Sequence, residues 1–313
     1  MRIGLVVQDG CFGSGTSSLV DILGVADMIR PSLDAAIPPL EVFVAGSRRR
    51  VTTSSGMTIT TSRTLRELDD LDVVVLPALG TFTGPHTEAV LASRDGQATV
   101  RAMQNLDPKG MRFAAACTGV FALAETGLLD GHRVTTTWFL TPAFKARYPA
   151  VEVDLDAMVV SDGPILTAGA AFAHIDMALA LVRSVSHELA QEVARLLLID
   201  DRPSQAAFFS YDHFEHDDPT VLAFERYVRQ HLEDPFDAAA VAVAIDSSRR
   251  TLERRTRAVV GLSPLEIVQR LRLERADHLR RSTALSTEEI AHRVGYANAE
   301  TLRALQRRSA RPH

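Results

Sequence analysis

The residue whose type and position best suit chemistry is Cys117, in the sequence Ala-Ala-Cys-Thr-Gly at 115–119. Residues 112–116 are small or apolar and predict a buried strand, and residues 118–128 predict a helix, so the cysteine falls at a tight strand-to-helix turn. Such a turn can present a nucleophile, and a helix N-terminus lowers the pKa of a nearby thiol. Neighbouring backbone N–H groups could bind an anion. The pattern predicts a small-molecule site with a thiol of lowered pKa.

A second group of chemically important residues is a set of arginines near the end of the chain. Residues 235–313 contain 15 Arg and 9 Asp or Glu, which gives this segment a charge of +6. The preceding 234 residues carry 19 basic and 30 acidic residues, or −11, although the whole chain is only −5. This asymmetry indicates that one segment meets a polyanion. Arginine suits contacts to phosphate and to guanine.

The spacing within this segment predicts two helix-turn-helix units. A short Ala/Val helix at 238–244, a turn with Asp and Ser caps, and a polar helix at 249–260 form the first unit. Helices at 287–294 and 299–308 form the second, around a turn at Gly295, where a left-handed residue is expected. Between the units, Ser-Pro-Leu-Glu at 263–266 is a strong helix start signal. We therefore predict a longer helix that holds the two units at a fixed separation.

These motifs resemble the AraC-type DNA-binding domain over about 85 residues. The matching stretches are Ser-Arg-Arg-Thr-Leu-Glu-Arg-Arg at 248–255, Gly-Leu-Ser-Pro at 261–264, Arg-Leu-Glu-Arg-Ala at 272–276, Ile-Ala at 290–291 and Val-Gly-Tyr at 294–296. The resemblance implies that the two units bind successive segments of the major groove. The family usually has aromatic residues where Thr256 and Leu302 stand, and its usual Gly-x-Ser-Pro tail is missing, so we expect the first unit to dominate DNA contact.

The predicted DNA contacts lie at the start of each unit's second helix, where side chains enter the groove. The alternative for an Arg-rich helix is a solvated face with i,i+4 ion pairs, and Glu253–Arg257 and Arg270–Glu274 fit that alternative. We predict the following DNA-binding residues: Ser248, Arg249, Arg250, Arg254, Asn298, Glu300, Thr301, Arg303 and Arg307.

The first 199 residues predict an α/β fold. In this region predicted strands alternate with predicted helices. The strands are at 3–8, 40–45, 71–77, 112–116, 134–137 and 165–168, with a short extended piece at 58–60. The helices are at 19–29, from the loop at Gly80 to about 105, at 118–128 and at 176–199. This order indicates a parallel sheet with helices on both faces. In such sheets the site lies beyond the carboxyl ends of the strands, where Cys117 and a Gly/Ser loop at 10–15 are expected.

The same region resembles the DJ-1/PfpI branch of the class I glutamine amidotransferase-like fold, which is flavodoxin-like. The motifs are Ala-Ala-Cys-Thr-Gly at 115–119, Ala-Glu-Thr-Gly-Leu-Leu-Asp-Gly at 124–131, Thr-Thr-Thr-Trp at 135–138 and Thr-Ala-Gly at 167–169. The order of the two domains resembles the GlxA-type transcriptional regulators. This resemblance implies a metabolite-sensing regulator of promoter DNA, with a nitrogenous effector.

The resemblance also tests whether Cys117 can catalyse. In enzymes of this fold a histidine follows the Thr-Thr pair, and that position here is Thr137. A cysteine nucleophile needs a base within hydrogen-bond reach, and a hydroxyl is not a base at pH 7. The first loop also lacks a carboxylate. We therefore predict a binding pocket without catalytic residues, metal or cofactor, whose ligand-binding residues are Cys117, Thr118, Gly119, Thr137, Gly13 and Ser14.

Two alternatives stay open for Cys117. It could be the nucleophile of a Cys-dependent hydrolase or hydratase, or a redox-sensing thiol. Cys11 could then be a resolving thiol, although a buried small residue is the stronger expectation. For His174 and Asp176, which precede a predicted helix, we favour capping over catalysis.

The length of 313 residues fits about two domains. We predict an effector-binding and dimerisation domain at 1–199, a polar linker at 200–219 and a DNA-binding domain at 220–313. The chain enters a strand directly at its start and has no long apolar run, which argues against secretion and membrane insertion. With only two Cys and no disulfide framework, we expect free thiols in a reducing cytoplasm. The resemblance to DNA-binding regulators implies a nucleoid-associated protein, which we expect to be a homodimer.

Overall fold

The structure is a computed structural model that describes residues 1–106, 110–200, 202, 204–205, 216 and 218–309. The chain divides into two compact units, residues 1–140 with 147–205, and residues 141–146 with 206–313. The first unit ends at Gln205, inside the stretch predicted as the linker, and most of the remaining linker lies outside the described residues. In the described part of the chain, no helix combines the length and apolarity needed to cross a bilayer.

A seven-stranded sheet forms the centre of the first unit, in the order β10-β11-β7-β6-β1-β2-β5. Every neighbouring pair is parallel except β10–β11. β3–β4 and β8–β9 form two small separate ladders. The strands are β1 (Arg2–Val6), β2 (Glu41–Gly46), β3 (Arg50–Thr52), β4 (Thr58–Thr60), β5 (Arg63–Thr64), β6 (Val73–Leu76), β7 (Arg112–Ala116), β8 (Arg133–Val134), β9 (Glu152–Val153), β10 (Val159–Asp162) and β11 (Ile165–Ala168). This mostly parallel sheet confirms the predicted flavodoxin-like fold class.

Helices cover the sheet because its central strands are apolar on both faces. One core joins alternate residues of β1, β6, β7 and β11 to α1, α6 and α7; Leu5, Leu23 and Met177 are fully buried in it. The helices of this part of the chain are α1 (Gly13–Leu33), α2 (Gly84–Ala92), α3 (Arg94–Gln104), α4 (Gly119–Ala124), α5 (Thr141–Arg147), α6 (Ala173–Arg183) and α7 (His187–Leu196), with a 3-10 turn at Trp138–Leu140.

Two predicted long helices are each divided in two. The helix predicted up to residue 105 breaks at Ser93, whose hydroxyl caps α3 by accepting the Gly96 N–H at 3.1 Å. The helix predicted at 176–199 ends as α6 at Arg183 and restarts as α7, capped by Ser186. In both places a serine satisfies N–H groups of a new first turn, which makes the break favourable.

Three further boundaries differ from the prediction. α1 begins at Gly13, so part of the predicted Gly/Ser loop is helical. The strand predicted at 134–137 is reduced to β8, because the Thr135 N–H bonds the Thr167 hydroxyl instead of continuing a ladder. The helix after Cys117 is only six residues long, where residues 118–128 were predicted.

The second unit is helical and carries the predicted pair of helix-turn-helix units. α9 and α10 form the first and α12 and α13 the second, and the predicted bounds are confirmed to within a residue or two. Ser263 and Ser286 each form a capping box, with Glu266 and Glu289. The helices are α8 (Pro219–Gln230), α9 (Ala238–Ala244), α10 (Arg249–Val259), α11 (Pro264–Ser282), α12 (Thr287–Arg293) and α13 (Ala299–Ser309).

Arg272 lies on α11, the predicted longer helix between the two helix-turn-helix units, and connects it to segments next to both of them. Its guanidinium donates to the carbonyls of Leu232 (3.1 Å), Gly295 (3.1 Å) and Asp234 (2.6 Å), and it lies 5.0 Å from the centre of the Tyr296 ring. Arg272 is buried, so three carbonyls and a ring stand in for water around its charge. It thereby ties the segment before α9 to the turn before α13.

Candidate functional site

The turn at Cys117 has the strained geometry that its sequence predicts. Cys117 has a φ of 53°, in the left-handed region, which is unusual for a residue other than glycine. Its N–H donates to the Ala168 carbonyl of β11 at 2.9 Å. A Cβ on Gly119 would lie 2.3 Å from the Leu76 carbonyl oxygen, so only glycine lets α4 start this close to the end of β6. The predicted strand-to-helix elbow is therefore present.

The thiol at this elbow does not have the predicted acidity. Cys117 is only 5% exposed. Burial raises its pKa to about 11, although hydrogen bonds from Thr118 and the Thr137 side chain act in the opposite direction. The prediction of a lowered pKa is wrong, because the loss of solvation outweighs the dipole of the six-residue α4. Cys117 is a neutral thiol at pH 7.

Threonine hydroxyls surround the elbow and hold its backbone. The Thr136 hydroxyl donates to the Cys117 carbonyl at 2.9 Å, and the Thr118 hydroxyl accepts the Leu79 N–H at 2.9 Å. Thr137 is fully buried, with its hydroxyl within hydrogen-bond reach of the thiol. The structure therefore brings together four of the predicted ligand-binding residues, namely Cys117, Thr118, Gly119 and Thr137.

The other two predicted ligand-binding residues lie in the first turn of α1. A Cβ on Gly13 would meet the side chains of Met57 and Thr53 at about 3 Å, so Gly13 is packed against them. Ser14 is exposed. Cys11, just before this turn, is buried, and burial raises the pKa of its thiol. A buried neutral Cys11 fits the expected packing role and not that of a resolving thiol.

His174 is buried in the first turn of α6, whose N-cap is Phe172, so the capping role expected for its side chain is not the one it has. Its Nε2 accepts the Ala78 N–H at 3.1 Å, and its Nδ1–H donates to the Ala171 carbonyl. Burial lowers its pKa to about 4, so the ring is neutral at pH 7. Both ring nitrogens are engaged with the backbone, which leaves His174 no lone pair to serve as the base for Cys117. It joins the loop after β6 to the start of α6, while Asp176 forms an ion pair with Arg202.

Thiol chemistry gives a direct check of this geometry. A thiol with a pKa of about 11 has a thiolate fraction roughly 300-fold lower at pH 7 than one at the ordinary value of about 8.5. We expect the native protein to react with a disulfide reagent at least 100-fold more slowly than a small-molecule thiol, and to show two reactive thiols in guanidinium chloride. If one thiol of the native protein instead reacts rapidly with the reagent, and this reaction is lost in Cys117→Ser, the nucleophile and redox alternatives are supported.

The predicted DNA-binding residues of the first helix-turn-helix unit are all exposed. Ser248 caps α10 by accepting the Thr251 N–H at 3.1 Å. Glu253, which we expected to pair with Arg257, pairs with Arg249 at 2.8 Å, so part of the Arg249 charge is neutralised on the helix surface. Arg250 and Arg254 extend the exposed basic face.

The second helix-turn-helix unit has an exposed face comparable to that of the first. Gly295 has a φ of 77°, as predicted for its turn. Asn298 caps α13, since its side-chain oxygen accepts the Thr301 N–H at 2.9 Å. The remaining predicted contacts are exposed, namely Glu300, Thr301, Arg303 and Arg307.

An open cleft of about 440 Å³ lies beside the first helix-turn-helix unit. It lies between the first turns of α8 and α10 and the turn at 245–248, and therefore belongs to the helical unit and not to the Cys117 elbow.

Comparisons with known proteins agree with both halves of this description. The sequence profile of the DJ-1/PfpI family matches residues 17–184, and that of a helix-turn-helix domain matches residues 241–311. The HTH-type transcriptional regulator CdhR of Pseudomonas aeruginosa is 30% identical over 209 residues, covering 64% of this chain and 60% of that protein. The HTH-type transcriptional regulator GlxA of Rhizobium meliloti is 30% identical over 213 residues, covering 65% and 64%. The chain thus spans less than two thirds of the length of either relative.

A solved structure supports the fold of the first unit. Drosophila melanogaster DJ-1beta matches 64% of this chain and 98% of its own, with a TM-score of 0.50 and 24% identity. The DJ-1/PfpI profile covers more than half of the 313 residues. With its parallel sheet, its strained cysteine elbow and an AraC-type helix-turn-helix domain after them, this chain belongs to the DJ-1/PfpI family.

Proposed function

We propose that this protein is a sequence-specific DNA-binding transcriptional regulator whose DJ-1/PfpI domain binds a small effector. The observation that carries the proposal is the pairing of two helix-turn-helix units, with exposed arginines on α10 and α13, to a DJ-1/PfpI domain whose elbow thiol is neutral. Two curated relatives with about 30% identity are named as transcriptional regulators, which supports the same conclusion.

The chemistry at the elbow supports binding over catalysis. The Cys117 thiol has a raised pKa, and the side chains hydrogen-bonded to it are the hydroxyls of Thr118 and Thr137. Thr137 stands where a catalytic base would be needed, and His174 has both ring nitrogens engaged with the backbone. Without a base or a thiolate, the elbow has no means to attack a bound molecule.

In this proposal each domain has one task. The first helix-turn-helix unit contacts DNA through Ser248, Arg249, Arg250 and Arg254. The second contacts it through Asn298, Glu300, Thr301, Arg303 and Arg307. The target is promoter DNA, which places the protein in the cytoplasm at the nucleoid, and we infer that it acts as a homodimer. The effector is a small nitrogenous metabolite. It must bind one arrangement of the protein better than another, since otherwise no equilibrium would shift.

The test is enrichment of genomic DNA fragments by the purified protein, followed by affinity measurements at several salt concentrations. We expect Arg250→Ala/Arg254→Ala to bind the enriched sequence at least tenfold more weakly. Log affinity falls linearly with log salt concentration, and each lost phosphate contact makes this slope less steep by about 0.9. The matched control is Arg94→Ala/Arg101→Ala, which makes the same charge change at exposed positions of α3. Both double variants should keep the wild-type melting temperature.

Two results would refute this function. One is a failure to enrich any sequence over random DNA, with an affinity that does not depend on salt. The other is turnover of a small substrate that disappears in Cys117→Ala, which would favour the hydrolase or hydratase alternative. A thermal-shift screen of amino acids and related nitrogenous metabolites would test the sensing domain, because a ligand that binds only the folded state raises the melting temperature.

A further inference from the structure

Gln205, the last residue of the first unit, has its side-chain amide buried inside that unit. The residue is only 1% exposed. Its Nε2 faces four oxygens: the Thr135 hydroxyl (3.0 Å) and the carbonyls of Thr136 (3.1 Å), Leu155 (3.1 Å) and Ala157 (3.4 Å). Its Oε1 accepts the Ala170 N–H at 3.1 Å. The surroundings therefore match a primary amide, with acceptors around the NH2 group and a donor at the oxygen.

The slot that holds this amide depends on a glycine and adjoins the Cys117 elbow. A Cβ on Gly169 would lie 2.3 Å from Gln205 Oε1, so any larger residue there would close the slot. Thr136, whose carbonyl binds the amide, donates its hydroxyl to the Cys117 carbonyl. Thr136 thus links the slot to the elbow through a hydrogen bond on each side.

The chain around Gln205 is attached to the first unit by several further contacts. The Ser204 hydroxyl donates to the Asp156 carbonyl at 2.8 Å, and the Gln205 N–H donates to the same carbonyl at 2.9 Å. Arg202 forms an ion pair with Asp176, which is 10% exposed at its side chain, and also bonds the Phe172 carbonyl. We call residues 202 and 204–205 the strap. It marks where the chain leaves the first unit toward the DNA-binding domain.

We propose that this slot is a carboxamide-binding site, that Gln205 occupies it as an internal ligand, and that a small molecule with a primary amide displaces Gln205 and releases the strap. A carboxylate cannot donate to the four oxygens, and an ammonium group cannot accept the Ala170 N–H, so the slot selects for an amide. Because Gln205 is tethered to the site, a free amide competes with it only at a concentration above the effective concentration of the tethered side chain. The effect on DNA binding rests on the proposed function.

Hydrogen exchange on the full chain tests the attachment of the strap. In Gln205→Ala we expect the backbone N–H groups of Ala170 and Gln205 to exchange at least tenfold faster, since the amide no longer holds the slot together. In Gln205→Glu the increase should be larger, because a carboxylate would face four oxygens. Gln191→Ala, at an exposed position on α7, is the control and should match the wild type. Equal protection in all four proteins would overturn the proposal.

Rescue with a small amide tests the chemical class of the ligand. Acetamide should raise the melting temperature of Gln205→Ala by more than that of the wild type, and acetate should have no such differential effect. If acetamide acts equally on both proteins, or if acetate acts like acetamide, the slot is not a carboxamide site.

DNA affinity separates this proposal from the function on which it rests. If the wild type binds a specific DNA sequence, Gln205→Ala should change its Kd at least fivefold, whereas Gln191→Ala should leave it unchanged. An unchanged Kd in Gln205→Ala overturns the regulatory role of the strap. If exchange and rescue behave as expected but no DNA is bound specifically, the regulator function fails and the carboxamide site stands.

Discussion

An Arg272→Ala variant is expected to lose DNA binding because its helical unit becomes unstable. The substitution leaves the carbonyls of Leu232, Asp234 and Gly295 without their shared donor and removes the cation from the Tyr296 ring. Leaving several buried acceptors unsatisfied destabilises a protein by about 3 kcal/mol or more. Both helix-turn-helix units should be affected, since Arg272 contacts the segment that leads into the first and the turn within the second.

Hydrogen exchange of peptides from α9 to α13 and urea unfolding provide the measurement. The control is Arg275→Ala, which removes an exposed arginine from the same helix and should change the free energy of unfolding by less than about 0.5 kcal/mol. Arg272→Lys should lie between the two, because a lysine keeps the charge but cannot span three carbonyls. Equal stability of Arg272→Ala and Arg275→Ala would contradict this role.

Acidification is expected to destabilise the DJ-1/PfpI domain through His174. Burial lowers the pKa of His174 to about 4 in the folded protein, whereas an unfolded chain has a value near 6.5. Above pH 6.5 the ring is neutral in both states, and its contribution is constant. Between pH 6.5 and 4 the unfolded state takes up a proton that the folded state cannot, so stability falls by about 3 kcal/mol in total. Below pH 4 there is no further change from this residue.

The check is urea unfolding of the wild type and His174→Gln from pH 7.5 to pH 4. Glutamine does not titrate, and its amide oxygen can accept the Ala78 N–H in place of Nε2. The wild type should be the more stable protein at pH 7.5, and its advantage should shrink as the pH falls through 6.5. A difference that is the same at every pH would show that the histidine does not titrate as the geometry requires.

Local patterns in the sequence predicted the elements of the helical unit well. Its helices have clear caps, such as Ser263 with Glu266, and its turns use Gly295 or a run of Asp and Ser. Cap signals were also present at Ser93 and Ser186, but the apolar positions on either side continued a helical pattern and concealed the breaks. A capping serine after a full-length helix therefore carries more information than the periodicity around it.

The contacts that build the candidate site could not be predicted, because their partners are backbone groups distant in the sequence. Gln205 bonds backbone atoms 35 to 69 residues away, and the His174 ring bonds Ala78, 96 residues away. A carbonyl looks the same at every position, so no residue type marks it as a partner. The acidity of Cys117 was mispredicted for a related reason: local sequence indicates the helix dipole, whereas burial depends on the whole fold.

The left-handed backbone of Cys117 also bears on which residues this elbow can accept. A residue other than glycine in this conformation costs about 1 kcal/mol, which selection maintains where a nucleophile must project from the turn. Here the thiol is neutral and is surrounded by hydroxyls, and glycine or asparagine at this position would relieve the strain. Under the proposed function, which needs no thiolate, the elbow can accept substitutions that change its size and polarity.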